Sequence, residues 1–384
     1  MKVPFSRPSI GDAEIAEVVD CLRSGWVTSG PRTAQFEKEF ADAVQAPHAL
    51  AVTSATAGLH LAMLALELQP GDEVITTPLT WPATVNTIAL VGATPVLVDI
   101  EPDSLNLDVG RIDARLSPRT RAIVPVHFAG QPCDLDALRA IANGHRLRIV
   151  EDAAHALGAG YRGRPIGSRA DAAVFSFHPI KNITTGEGGM ITSADDELAH
   201  RMQLLRFHGV ERDAWKAYGG AQLPLYDVTT PGLKYNLTDI QSAIGIHQLR
   251  RLATLNAERE RLARRYDRAL VQIPELRPLG TVSYPHRHSH HLYVVLVELE
   301  RLAIDRNAFM AAVIDAGVGL GLHFTAVHEL TYYRERLGDL RAALPNATDV
   351  SRRLFSLPLF PGLSDAEQDR VVDVLAQTAR ANRR

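Results

Sequence analysis

One lysine follows an alternating apolar run and precedes a cluster of glycines. The stretch is Phe175-Ser-Phe-His-Pro-Ile-Lys181-Asn-Ile-Thr-Thr-Gly186-Glu-Gly188-Gly189. A lysine amine kept from water loses basicity, and the neutral amine adds to carbonyl carbons to form Schiff bases. Taken alone, Lys181 reads more readily as a solvated loop lysine. About thirty residues upstream, Leu147-Arg-Ile-Val-Glu-Asp152-Ala-Ala-His155 reads as a buried parallel strand ending in an acid. Catalytic groups of open α/β sheets collect at the carboxyl ends of strands. An amine and an acid so placed suit pyridoxal phosphate (PLP): the amine takes its aldehyde and the acid keeps its ring nitrogen protonated. Asp152 by itself could also ligate a metal or cap a helix.

A third segment supplies a place for a phosphate. Residues 49–64 read as a short strand, a turn of small residues (Ser54-Ala55-Thr56-Ala57-Gly58) and an apolar helix. Small residues let backbone N–H groups approach an anion, and a helix N-terminus favours it. An isolated Ser-Ala-Thr before a helix is more often only a cap. Its order with Asp152 and Lys181 gives it weight.

These residues need a scaffold, and the chain is long enough for one. It has 384 residues, 46% of them hydrophobic, which predicts a large core and two domains. A net charge of −3 gives no basic field for nucleic acid. The two cysteines, Cys21 and Cys133, have no metal spacing and suggest no disulfide framework, so a reducing cytoplasm is the expected compartment. Neither a signal core nor a membrane-length apolar run occurs.

Strands are predicted at 73–77, 94–99, 122–127, 148–151, 173–177 and 189–192, with helical patterns between most of them, including 83–91 and 135–143. This alternation predicts an α/β fold with a large, mostly parallel sheet and helices on both faces. Residues 1–25 read as an N-terminal arm and helix, 26–250 as the large domain and 251–384 as a smaller α+β domain. Residues 206–230 read as a long irregular stretch. A long helix is expected over 238–270, broken near Leu252. Further strands are expected at 292–297 and 319–324, and helices at 306–316 and 365–379. The charge run from Glu258 to Arg265 fits a solvated helix face.

Six motifs together resemble a known family: 53–60 (Thr-Ser-Ala-Thr-Ala-Gly-Leu-His), 71–76, 151–156 (Glu-Asp-Ala-Ala-His-Ala), 175–178, 187–189 and 235–240. The chain resembles the DegT/DnrJ/EryC/StrS sugar aminotransferases over nearly its whole length. The resemblance implies a fold-type-I PLP-dependent transferase. Within the family, segments 79–86, 177–184, 230–239, 321–324 and 332–336 look most like the branch that aminates UDP-linked 4-keto-arabinose. A place in lipid A modification of lipopolysaccharide would follow from that branch. Many relatives read Gly-Tyr-Asn-Tyr-Arg where this chain has Gly232-Leu-Lys-Tyr-Asn236.

The resemblance carries roles to single residues. Lys181 would bind the cofactor aldehyde and then act as base and acid. Asp152 would hold the ring nitrogen's proton. Trp81 would stack on the cofactor, or else be a core tryptophan. His155 would orient the ring, or else be a satisfied buried histidine. Ala55, Thr56 and Ser176 would bind the phosphate. Lys234 and Asn236 would reach the phosphate or substrate of a second subunit, implying a homodimer with shared sites. His323 and His328 would face the sugar nucleotide. The partners are then a nucleotide sugar and L-glutamate with 2-oxoglutarate.

Rivals remain at this stage. Another keto sugar, a 4-keto-6-deoxyhexose or a 3-keto sugar, is one substrate alternative. Family dehydrases carry histidine in place of the lysine, which Lys181 argues against. A cofactor-binding regulatory homologue without turnover is a further alternative. The cluster His286-Arg-His-Ser-His290-His291 invites a metal. It has no acidic or cysteine neighbour and precedes an apolar strand, so no metal is expected.

Overall fold

The computed structural model describes residues 1–211 and 226–384. Its strands begin with β1 (His48–Val52), β2 (Glu73–Thr76), β3 (Thr94–Leu97), β4 (Thr120–Val124) and β5 (Arg148–Asp152). A small hairpin, β6 (Gly160–Tyr161) and β7 (Arg164–Pro165), precedes β8 (Ala172–Ser176) and β9 (Gly189–Ser193). The first helices are α1 (Asp12–Ser24), α2 (Pro31–Val44), α3 (Ala55–Ala65), α4 (Pro82–Leu90), α5 (Leu135–His145) and α6 (Asp196–Arg206). Then follow α7 (Asp239–Arg250), α8 (Leu252–Leu270), α9 (Arg306–Asp315), α10 (Thr331–Leu337), α11 (Pro345–Arg353) and α12 (Asp365–Ala381).

The main sheet runs β1-β9-β8-β5-β4-β2-β3. The segment from β3 to β8 is parallel, and β9 is antiparallel to both its neighbours. Val52 pairs with Gly189, and Gly189 with Ser176, so β1 and β8 end level with each other.

Alternation along β8 explains why helices cover both faces. Ala173 and Phe175 join a core with Phe36 and Phe40 of α2 and Ile246 of α7. Ala172 and Val174 join another with Leu59 and Leu61 of α3 and Met202 of α6. The rings of Phe40 and Phe175 meet edge-on at 5.2 Å, and Phe40 lies 5.7 Å from Phe177. Each such phenylalanine contributes roughly 1.5–3 kcal/mol by burial, and this anchors β8 just before Lys181. On the other face α3 lies unusually close. A Cβ on Gly58 would sit 2.7 Å from Val174 Cγ1, so only glycine fits there.

The later strands are β10 (Val210–Glu211), paired with β11 (Asp227–Val228), then β12 (Leu276–Pro278), β13 (His286–Arg287), β14 (Tyr293–Val297) and β15 (Leu354–Leu357). Most of the stretch expected to be irregular, 206–230, lies outside the described residues. An antiparallel sheet, β12-β14-β15, packs with α8, α9 and α12 into a second core around Tyr266, Phe309 and Phe355. The alternation of β14 joins the two parts of the chain. Tyr293, Val295 and Val297 face the second core, whereas Leu292, Val294 and Leu296 cluster with Leu79 and Phe128 beside the main sheet. The long helix expected over 238–270 is two helices meeting at Arg251.

The strand expected at 319–324 does not form. The N-terminal arm crosses this segment instead, bridging Val3 to Val318, while Gly321 makes a single bridge to Ser356. A Cβ on Gly319 would lie 2.5 Å from the Phe5 nitrogen, and one on Gly321 would lie 2.7 Å from the Phe5 ring. The glycines that weakened the strand pattern are what admit the arm.

Gly58→Ala tests the α3–β8 contact. It should lower unfolding stability by about 1–3 kcal/mol, read by denaturant titration of the cofactor-free protein.

Candidate active site

The carboxyl ends of β5 and β8, the start of α4 and the first turn of α3 surround a cavity of about 450 Å³. Lys181, Asp152, Ala55, Thr56, Trp81, His155, Ser176 and His323 all line it. The structure therefore brings together the residues singled out in the sequence, except His328, Lys234 and Asn236.

Asp152 is the last residue of β5 and is buried. Thr84 Oγ1 of α4 donates to its Oδ2 at 2.7 Å, and the Ala154 N–H to its Oδ1 at 3.1 Å. Thr84 is itself 2.7 Å from the Thr80 hydroxyl. Burial pushes the carboxyl pKa up, while these hydrogen bonds and the charge of Lys181 draw it down. A cation in the cavity would favour the ionised form further.

Lys181 sits in a loop tied into a closed turn. Phe177 N–H donates to Gly188 O at 2.9 Å, and Thr184 Oγ1 donates to Phe177 O at 2.9 Å. Gly186 takes φ +80°, where a side chain would be strained. The base of the loop is held by Arg259 of α8. Its guanidinium donates to the carbonyls of Lys181 (3.3 Å), His291 (3.1 Å) and Leu359 (2.8 Å). Burial and Arg259 lower the Lys181 pKa to about 8, and Asp152 partly opposes them. At pH 7 roughly a tenth of such an amine is neutral, against less than about a thousandth for an ordinary lysine.

The first turn of α3 forms the third wall. Ser54 caps the helix by accepting from Ala57 N–H at 3.1 Å. The amide nitrogens of a helix's first turn have no partner within the helix, and Ala55 and Thr56 bring that turn to the cavity. A Cβ on Gly189 would lie 2.8 Å from the Ala55 nitrogen, so glycine lets β9 abut the helix start.

Aromatic rings complete the cleft. His155 is stacked on Phe324, with ring centroids 5.8 Å apart, and its Nδ1 accepts from Ala129 N–H at 3.3 Å. Trp81 lies 6.0 Å from Phe324. It is 63% exposed, which rules out a core tryptophan. His323 is tied through Nδ1 to Ser356 Oγ at 3.0 Å, and burial and Lys181 push its pKa down to about 4.

Three candidates stand elsewhere. His328 is buried on a short turn against Thr348, 2.9 Å away, and the structure does not bring it to the cavity. Lys234 bonds Asn236 and lies 4.4 Å from the Phe207 ring centre. Asn236 also donates to Ser29. Neither residue lines the cavity of its own chain.

Residues 8–376 match the DegT/DnrJ/EryC1/StrS aminotransferase family. The chain belongs to that family. A protein of Streptococcus pneumoniae described as a sugar aminotransferase, solved in PMP form, is 36% identical. The match covers 99% of this chain and 98% of that one, with a TM-score of 0.91. S. venezuelae DesV is 33% identical over 98% of both chains, with a TM-score of 0.87. Helicobacter pylori PseC, an aminotransferase of pseudoaminic acid biosynthesis, is 28% identical over 99% of this chain and 100% of its own, with a TM-score of 0.90. The architecture is that of fold-type-I PLP-dependent transferases.

For this family member, sequence reading missed Thr84, Phe324, Arg259 and His291. Arg259 corrects the reading of 258–265 as a solvated face: it is only 2% exposed. Its signal was its place on the apolar stripe Leu255-Arg259-Leu262-Tyr266, at helical spacing. His291 lay within the histidine cluster weighed for metal. Among the described residues no three His, Cys, Asp or Glu side chains form a metal-holding group. Nor is any described helix long and apolar enough to cross a membrane.

Acetylation of Lys181 in the cofactor-free protein, followed by peptide mass spectrometry against pH, should show a midpoint near 8. The sign follows from chemistry: only the neutral amine reacts, so labelling rises with pH through the pKa. A midpoint near 10 would mean an ordinary solvated lysine.

Proposed function

We propose that this chain is a PLP-dependent aminotransferase that moves an amino group from L-glutamate to the 4-keto carbon of a nucleotide-linked sugar, UDP-4-keto-arabinose. The observation that carries the reaction class is one cavity lined by a desolvated lysine, a buried carboxylate and a capped helix N-terminus. The sugar rests on the sequence segments that resemble the arabinose branch. Other keto sugars are the outcomes against which it is tested.

The cavity suits the cofactor by its donor set. Lys181 would take the aldehyde, Asp152 the ring nitrogen, and the α3 amides with Ser176 the phosphate. PLP, when bound, supplies an electron sink for the electrons left at a carbon that loses a proton. Lys181 Nζ, neutral in part at pH 7, would take up that proton and hold it as general base and then acid. Asp152 acts by charge, held in place by Thr84. Trp81, at the mouth, would cover the ring face, and His155 would fix its edge. His323 would meet the sugar nucleotide.

Lys234 and Asn236 lie outside the cavity of their own chain, so a phosphate role for them requires a second subunit. The exposed apolar residues Ile15, Val19 and Leu22 of α1, with Trp26 and Val27 beyond it, offer a surface for that homodimer.

Glutamate added to the PLP-loaded protein should bleach its yellow absorbance, and UDP-4-keto-arabinose should restore it. Restoration only by a keto-hexose nucleotide would keep the reaction class and overturn the arabinose reading. No bleaching would favour the regulatory alternative. Asp152→Asn should slow the glutamate half-reaction by at least about 10²-fold, read by single-turnover absorbance, while the apoprotein keeps its fold by circular dichroism.

A further inference from the structure

Among the described residues, His291 is the one imidazole hydrogen-bonded to the Lys181 amine. Its Nε2 lies 3.3 Å from Lys181 Nζ, and the residue is 2% exposed. Its main chain is pinned on both sides: N–H donates to Ala129 O at 3.0 Å, and the carbonyl accepts from Arg259 at 3.1 Å. The neighbouring Ser289 hydroxyl donates to His155 O at 2.7 Å. The ring packs 4.4 Å from that of His155. Backbone and packing thus fix the imidazole before the lysine makes any demand on it.

His291 pairs only one of its two ring nitrogens. His127, also buried, satisfies both ring nitrogens, Nε2 with Glu151 at 3.0 Å and Nδ1 with Cys133 N–H at 3.0 Å. His291 has only the lysine at Nε2, and Nδ1 has no partner in the structure. Buried polar atoms are rarely left unpaired, because each unmade bond is costly. His328, buried away from the cavity, also leaves Nδ1 unpaired, so what sets His291 apart is the contact of its Nε2 with Lys181.

We propose that His291 is a positioning residue for Lys181: its Nε2 accepts a hydrogen bond from Nζ and holds the amine in place while it carries a proton. The inference rests on the proposed role of Lys181 as proton carrier. For Nε2 to accept, the ring proton must sit on Nδ1. The groups facing the imidazole are Lys181, Arg259, His155 and His323, and these with burial keep it neutral. A neutral acceptor stabilises the lysine ammonium over the amine without adding charge. It therefore binds most tightly in the step when Nζ has just taken up a proton and must not swing away.

The test compares Lys181 acetylation against pH in cofactor-free wild type, His291→Leu and His291→Gln. Losing the acceptor should move the Leu midpoint down by at least about one pH unit. Glutamine, whose amide oxygen reaches the position of Nε2, should restore it most of the way. In the loaded enzyme, Leu should slow the glutamate half-reaction at least tenfold with PLP affinity unchanged, and Gln should recover it. An unchanged Leu midpoint, or a Gln variant that behaves like Leu, would overturn the proposal. Should His291→Leu fail to fold, His291→Ala read with and without added imidazole decides the same point. Imidazole that moves the midpoint back supports the role, and imidazole without effect overturns it. Because the midpoint needs neither cofactor nor substrate, it stays decisive for His291 even if glutamate fails to bleach the wild type.

Discussion

Two cations buried in one wall govern this structure. The Lys181 amine and the Arg259 guanidinium share the loop that follows β8, and Asp152 faces them from the end of β5. Burying like charges together is unfavourable unless one gives up its proton or an anion joins them. Arginine keeps its proton, and burial brings it only to about 10. The adjustment falls on the lysine. The same guanidinium satisfies the carbonyls of Lys181, His291 and Leu359. One side chain therefore holds the backbone of the loop and adds to burial in lowering the basicity of the amine. The first turn of α3 adds its unpaired amides to this field.

That electrostatic arrangement depends on close packing. Glycine at 58 lets α3 lie against Val174, and glycine at 189 lets β9 abut the start of the same helix. Phe175 and Phe177 lock β8 against α2 from the opposite face. The strand ends, and not the loops alone, therefore set the distances between amine, carboxylate and helix. The Thr84 hydroxyl orients the carboxylate, and the Thr80 hydroxyl behind it extends this order by one layer.

The sequence made the main sheet, its helices and most of the cavity legible, because these follow from local period and from residues at strand ends. Lys181 and Asp152 announce themselves by type and spacing. Other parts were hidden for physical reasons. Arg259 carries a charge, and a charge within a charged run reads as solvated. Only its tertiary partners, carbonyls from three distant segments, make burial tolerable. His291 became informative only when folding placed Lys181 against it across 110 positions of sequence. The segment 319–324 has the alternation of a strand, but the N-terminal arm competes for it, and an arm more than 300 residues away leaves no local signal. Conversely, Lys234 and Asn236 stand out in sequence yet bond each other outside the cavity.

The alternation of β14 has a mechanical result. One strand carries both the C-terminal core and its seam with the main sheet, so the two parts of the molecule share a wall. A swing of one lobe about the other would drag Leu292, Val294 and Leu296 out of apolar contact. The strand thus acts as a weld more than a hinge. Substrates of different bulk must then be admitted at the rim, by the turning of side chains such as Trp81. A shift in what the enzyme accepts would be written in a few rim residues, with the frame beneath them left alone.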